Sequence, residues 1–211
     1  MVLPPFLITI IGFVLVMALA GLFGGRKREK SIKEYLENEL EANSAPKTPI
    51  PDEIFYVPDL SALPFKEEYD YDEKNNAKLL ECQETVKNKA GLQMLKFAEE
   101  QSNNDLKLSF GASNLNNIIV YEVHFSQYMR ALLNWGQLLH SLGDEINAAI
   151  IFNVCAESGC DMSKPYTILA DIYAAQSDTV NLERLLGLAV AADLSTKEKT
   201  EEYIRELMNR A

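Results

Sequence analysis

Cys82, Cys155 and Cys160 are the only thiols in this chain of 211 residues, and their spacing suits no metal or redox site. Four residues separate Cys155 from Cys160, where a zinc knuckle or a dithiol pair has two, so all three read as structural thiols. His124 and His140 stand far apart with no glutamate or cysteine framework beside them, and no metal site is expected. Asp171 and Asp178 are two helical turns apart, a spacing that could align them, but no base or nucleophile accompanies them. There is no glycine-rich phosphate loop and no serine or cysteine nucleophile motif. These residues point to no enzyme, no cofactor and no metal, so function has to be argued from surfaces.

The elements that would carry those surfaces begin with an uncharged run from Leu3 to Phe23, followed by Arg26, Lys27, Arg28, Lys30 and Lys33. As a helix at roughly 1.5 Å per residue, residues 3–23 would reach about 30 Å, the thickness of a bilayer core. The alternative, a cleaved signal at Ala18-Leu19-Ala20, is opposed by the uncharged start and by the apolar residues beyond the cut. The sequence therefore predicts a transmembrane helix over 3–23 and a basic juxtamembrane segment over 24–41. Arg26, Lys27, Arg28 and Lys30 would meet anionic lipid, and the positive-inside bias predicts a single-pass membrane protein with its C-terminal domain cytoplasmic.

Acidity is concentrated further on. Residues 34–84 hold 14 acidic and 4 basic side chains, and five of the eight prolines lie between 46 and 64. Residues 42–71 accordingly read as an extended, acidic, proline-rich linker. Its apolar tracts, Ile54 to Val57 and Leu60 to Phe65, either pack along the domain that follows or serve as a docking motif. With a net charge of −11 and its one basic cluster before residue 34, the chain is not expected to bind nucleic acid.

From residue 72 the pattern is helical, predicting an all-α domain over 72–211. Leu79, Cys82, Val86, Ala90, Met94 and Phe97 recur at steps of three and four, predicting one long helix to about Asn103. Residues 106–117 read as an irregular connection. Two units offset by 34 residues then follow, at 129–162 and 163–196. In the first, Leu132, Trp135, Gly136 and Leu139 precede the turn Leu142-Gly143-Asp144 and the face Ala148, Phe152, Cys155. In the second, Tyr166, Leu169, Ala170 and Tyr173 precede Ser177-Asp178 and Leu182, Leu186, Ala189. The pattern resembles the tetratricopeptide repeat, a 34-residue helical pair, although Cys160 and Leu194 stand where that repeat carries proline. Ser195 and Glu198 suggest a capping box opening a C-terminal capping helix.

The resemblance implies an antiparallel helical-repeat domain whose first helices line a protein-binding groove. Here those positions hold Arg130, Leu133, Gln137 and His140, then Lys164, Thr167, Asp171 and Ala174. The Lys and Asn places with which some relatives clamp a terminal carboxylate are Leu133 and Gln137, then Thr167 and Asp171, so no carboxylate clamp is implied. The expected function is a membrane-anchored, repeat-containing adaptor or assembly factor that binds a membrane-associated protein or peptide. The alternative is a structural subunit of a larger membrane complex. An adaptor would gather its exposed apolar residues in the groove, and a structural subunit would place them on the outer faces of the repeats.

Overall fold

A computed structural model describes residues 32–97 and 101–210, which divide into two compact units. The first unit contains residues 32–50 and 101–116. Its helix α1 covers residues 32–44 and stops where the Ser44 hydroxyl donates to the Leu40 carbonyl at 2.8 Å. Helix α3, Asn103–Phe110, opens with a capping box between Ser102 and Asp105, so the stretch expected to be irregular is a regular helix. Gly111 ends α3 at φ 84, and a Cβ there would lie 2.6 Å from the Pro46 carbonyl oxygen, so only glycine fits. The buried Asn114 amide donates to the carbonyls of Thr48 and Phe110, each at 2.8 Å, and Lys107 pairs with Glu39 at 2.6 Å.

The second unit contains residues 51–97 and 117–210. Residues 51–71 are a strap packed on helices. Phe65 stacks on Trp135 at 5.2 Å, the Trp135 indole donates to the Tyr69 hydroxyl at 3.3 Å, and Tyr56 shares a 2.7 Å hydrogen bond with Ser158. Gln83 closes the arrangement by accepting from the Lys66 amide and donating to the Lys66 carbonyl. From the apolar tracts of this segment, Tyr56, Leu60, Leu63 and Phe65 serve the core, while Val57 is exposed.

Helix α2, Glu73–Ala90, begins at the Asp72 cap and ends at Gly91, short of the expected Asn103. Met94 and Leu95 are buried in extended backbone instead, where Leu95 bridges Phe55 in antiparallel fashion and the Tyr56 amide donates to the Met94 carbonyl. Residues at 90, 94 and 97 fit a helical step, but Gly91 after Lys87 and Lys89 is a stop signal that this periodicity hides.

The repeat-like part follows. Helices α4 (Leu115–Ser141) and α5 (Glu145–Glu157) form one pair, and α6 (Ser163–Ala175) and α7 (Thr179–Ala191) the next. The turns within the pairs share key backbone bonds and caps across the 34-residue offset. Gly143 and Ser177 have positive φ, and the amides of Asp144 and Asp178 return to the carbonyls of Leu139 and Tyr173. The Asp144 and Asp178 carboxylates then cap the amides of Asn147 and Asn181. Gly136 is the close-approach point of the first pair, since a Cβ there would meet the Phe152 ring at 2.6 Å. Helix α8, Lys197–Met208, packs on both α6 and α7 through Thr200 and Ile204, with Glu198, Lys199, Glu202 and Glu206 in solvent. Its N-cap is Thr196 without a side-chain bond, so the Ser195 capping box does not form. The Thr196 hydroxyl is instead shared with Ser163 at 2.6 Å.

The fold is all-α, and the membrane expectation needs correction. Among the described residues no helix is long and apolar enough to cross a membrane. Even α4, with 27 residues, carries Asn116, Asn117, Glu122, His124 and Arg130, so its apolar residues form a face rather than a full cylinder. The span expected at 3–23 and the lipid contacts expected at Arg26, Lys27, Arg28 and Lys30 lie outside the described residues. A single-pass, cytoplasm-facing anchor therefore has no support in the fold. Among the described residues nothing supports a membrane-spanning fold, a membrane location or a lipid partner.

Candidate protein-interaction surfaces

The eight residues expected to line a groove stand on two helices. On α4, Arg130 is exposed while Leu133, Gln137 and His140 are half-buried; on α6, Lys164 and Asp171 are exposed while Thr167 and Ala174 are half-buried. Several are already engaged. His140 meets Glu145 at 2.8 Å, the Thr167 hydroxyl donates to the Lys164 carbonyl, and Leu133 and Ala174 pack against the core. The Tyr203 hydroxyl of α8 donates to Asp171 at 2.5 Å, and that carboxylate is the main reason the phenol is held above its ordinary pKa. No hydrogen bond or ion pair among the described residues joins the α4 row to the α6 row.

The exposed apolar residues lie elsewhere. Ile146 is 75 % exposed and Val180 76 %, and the two occupy the same place, one residue into the first turn, on α5 and α7. These second helices pack against each other. Ile150 and Val190 are also exposed on them. Between the rows lies a polar bridge in which Arg184 of α7 donates to Glu157 at 2.7 Å and to Asn153, and Asn153 donates to the Tyr173 hydroxyl at 2.6 Å. Gly187, in the middle of α7, is exposed, and a Cβ built there meets nothing within 4 Å. The sequence hid this surface because Ile146 and Ile150 belong to the run Ile146 to Val154, in which Ile151 and Phe152 are fully buried.

Two clefts lie in the second unit. One of about 290 Å³ lies between α2 and α4, with Cys82, Ala131 and Leu138 below and Lys78, Glu81 and Asn134 around it. The other, about 420 Å³, lies between the strap at Phe55 to Pro58 and Ala90 to Met94. The first brings Lys78, Glu81 and Cys82 into one lining, but no hydrogen bond or ion pair among the described residues joins them, and burial and the Glu81 carboxylate push the Cys82 thiol up rather than activating it. The thiols are poor nucleophiles: burial pushes Cys82 up, pushes Cys160 up to about 11, and holds Cys155 well above its ordinary value. Among the described residues no three metal-ligating side chains converge.

This geometry defines an all-α protein with repeat-like helix pairs. Compared with protein-family models, with curated proteins and with solved structures, the chain matches none. The tetratricopeptide resemblance over 129–196 is corrected accordingly. The 34-residue offset is a property of the fold, but membership of that family is not supported. The physical departure is visible as well, since the first helix of the first pair begins at Leu115, well upstream of 129, and Cys160 and Leu194 are simply buried apolar side chains at the proline positions.

Proposed function

We propose that the chain is a non-catalytic helical scaffold that binds another protein through the outer faces of α5 and α7. The observation carrying this reading is the repeated exposure of Ile146 and Val180 at one register. Water disfavours two such exposed apolar side chains, and burying them against a partner is the ordinary remedy. Gly187 supports the same face. An exposed glycine within a helix costs about 1 kcal/mol relative to alanine, and among the described residues nothing needs its small size. A partner's close approach to α7 would need it. The exposed residues of the expected groove are Arg130, Lys164 and Asp171, all charged, so the apolar surface does not favour the groove.

Photo-crosslinking tests the choice. A benzophenone side chain at 146 or 180 is expected to capture the partner, and one at 130, 164 or 171 is not. Gly187→Ala is expected to raise the melting temperature of the isolated chain while weakening the complex, a combination that a helix facing only solvent would not show. Crosslinks confined to 130, 164 and 171 would return recognition to the groove.

A further inference from the structure

The turn that ends α5 joins two cysteines whose spacing in the sequence suits no redox pair. The Gly159 amide donates to the Ala156 carbonyl at 3.0 Å and the Cys160 amide to the Cys155 carbonyl at 3.1 Å, with Gly159 at φ 63. These two bonds and the positive φ are the pattern in which one left-handed residue stops a helix, and in it the side chain three places before the cap meets the one two places after it. With Ser158 as the cap, those two side chains are Cys155 and Cys160. An amide nitrogen lies about 1.5 Å from its own Cα and a carbonyl oxygen about 2.4 Å from its Cα, so this bond holds the two Cα atoms no more than about 7 Å apart. Disulfides span Cα separations of about 4.4–6.8 Å.

Both thiols are fully buried in one core, while Cys82 stands apart on α2. The Tyr166 hydroxyl of α6 donates to the carbonyls of Ala156 and Cys160 and fixes the turn from the other side. Burial, with Asp161 adding to it, raises the Cys160 thiol, but the Met162 amide, which donates to its sulfur at 3.4 Å, and the Lys96 ammonium, held at the Ser158 carbonyl, act against that rise. Cys155 has burial and the Cys160 thiol against it, so Cys160 is the first to react. We infer that Cys155 and Cys160 are an oxidation site, a dithiol that closes to a disulfide across the end of α5. Hydrogen peroxide converts the Cys160 thiol to a sulfenic acid with release of one water, and the Cys155 sulfur then displaces a second, so two thiols and one peroxide become one disulfide and two waters. The first step waits on local opening of the turn; the second is fast because the partner sulfur is held within reach. The site lies in the core and does not depend on the outer faces of α5 and α7.

The test treats the full chain with hydrogen peroxide, then unfolds and alkylates it, and follows the peptide that carries both cysteines by mass spectrometry. That peptide is expected to lose two hydrogen atoms, with neither sulfur alkylated, and to recover both thiols under dithiothreitol. In Cys155→Ala the Cys160 sulfenic acid has no thiol to close with, so dimedone is expected to capture it there and not in the parent chain. Against a glutathione buffer, the folded chain is expected to close with an equilibrium constant roughly tenfold or more above that of the chain unfolded in urea, because the turn already holds the sulfurs together. Full alkylation of Cys155 and Cys160 after peroxide would overturn the inference. So would a bond from either to Cys82, equal closure in the folded and unfolded chains, or dimedone capture in the parent chain equal to that in Cys155→Ala.

Discussion

Two buried tyrosine hydroxyls have opposite situations, and single-atom changes separate them. The Tyr69 hydroxyl accepts the indole proton of the fully buried Trp135, so Tyr69→Phe leaves a buried donor without a partner. The Tyr128 hydroxyl is fully buried with no hydrogen-bond partner among the described residues, and burial drives its pKa up. Removing it takes away a desolvated group that repays nothing. Chemical denaturation is expected to show Tyr69→Phe destabilised by about 1–3 kcal/mol and Tyr128→Phe unchanged or more stable. A loss of similar size in both would mean that the Tyr128 hydroxyl has a partner after all. Neither role is visible from residue type, because Tyr69 lies in an acidic tract that reads as a linker and Tyr128 stands just outside the repeat units read from the sequence.

At the level of elements, α2, α5 and α7 start on carboxylate caps, and carboxylates held in this way bear on the response to acid. Hydrogen bonds from Asn75 to Asp72, from Asn181 to Asp178, and from Lys107 to Glu39 hold these three carboxyls below their ordinary values. A lowered folded-state pKa contributes stability above the unfolded value, and that contribution is lost as pH falls through the folded value. Glu122 acts in the opposite sense, because burial raises its pKa and its charge is relieved on acidification. Thermal melts are expected to be nearly flat from about pH 7 to about pH 5 and to decline below about pH 4. Asp178→Asn, which keeps a capping oxygen but does not titrate, is expected to show a shallower decline. An acid limb as steep as that of the parent chain would exclude Asp178 as a contributor.

The same elements show how far the sequence could be read. The 34-residue offset was legible because turns and caps are local: Gly143-Asp144 and Ser177-Asp178 need only their own neighbours to adopt their shape. The α3 capping box, Ser102 with Asp105, was equally local but was masked by the polar, asparagine-rich surroundings that suggested a loop. Met94 and Leu95 were misread because their burial depends on Phe55 and Tyr121, distant in sequence. The exposed row at Ile146 and Val180 was illegible for a related reason. A run of isoleucines and alanines shows that a helix is apolar, but only its packing partners decide which side is left over.

Across the whole molecule, the chain builds its second unit from two stretches, 51–97 and 117–210, and its first unit from the segments before and between them. Stability is expected to divide the same way. Leu106 is buried in the first unit, and Leu106→Ala should speed amide exchange across 103–110 while leaving exchange across 163–175 in the second unit unchanged. Acceleration of both regions together would show a single cooperative block.

The strap gives this segmented order a consequence during synthesis. Tyr56 and its partner Ser158 are 102 residues apart, and Tyr69 and Trp135 are 66 apart. At roughly 5–20 residues per second, a ribosome delivers Ser158 some ~5–20 s after Tyr56. Until then Tyr56 lacks Ser158, and for the earlier part of that interval Phe65 also lacks Trp135, long enough for a nascent-chain chaperone to bind. The strap can be laid down only when α4 and α5 have been translated, so the segment made early is among the last to find its place.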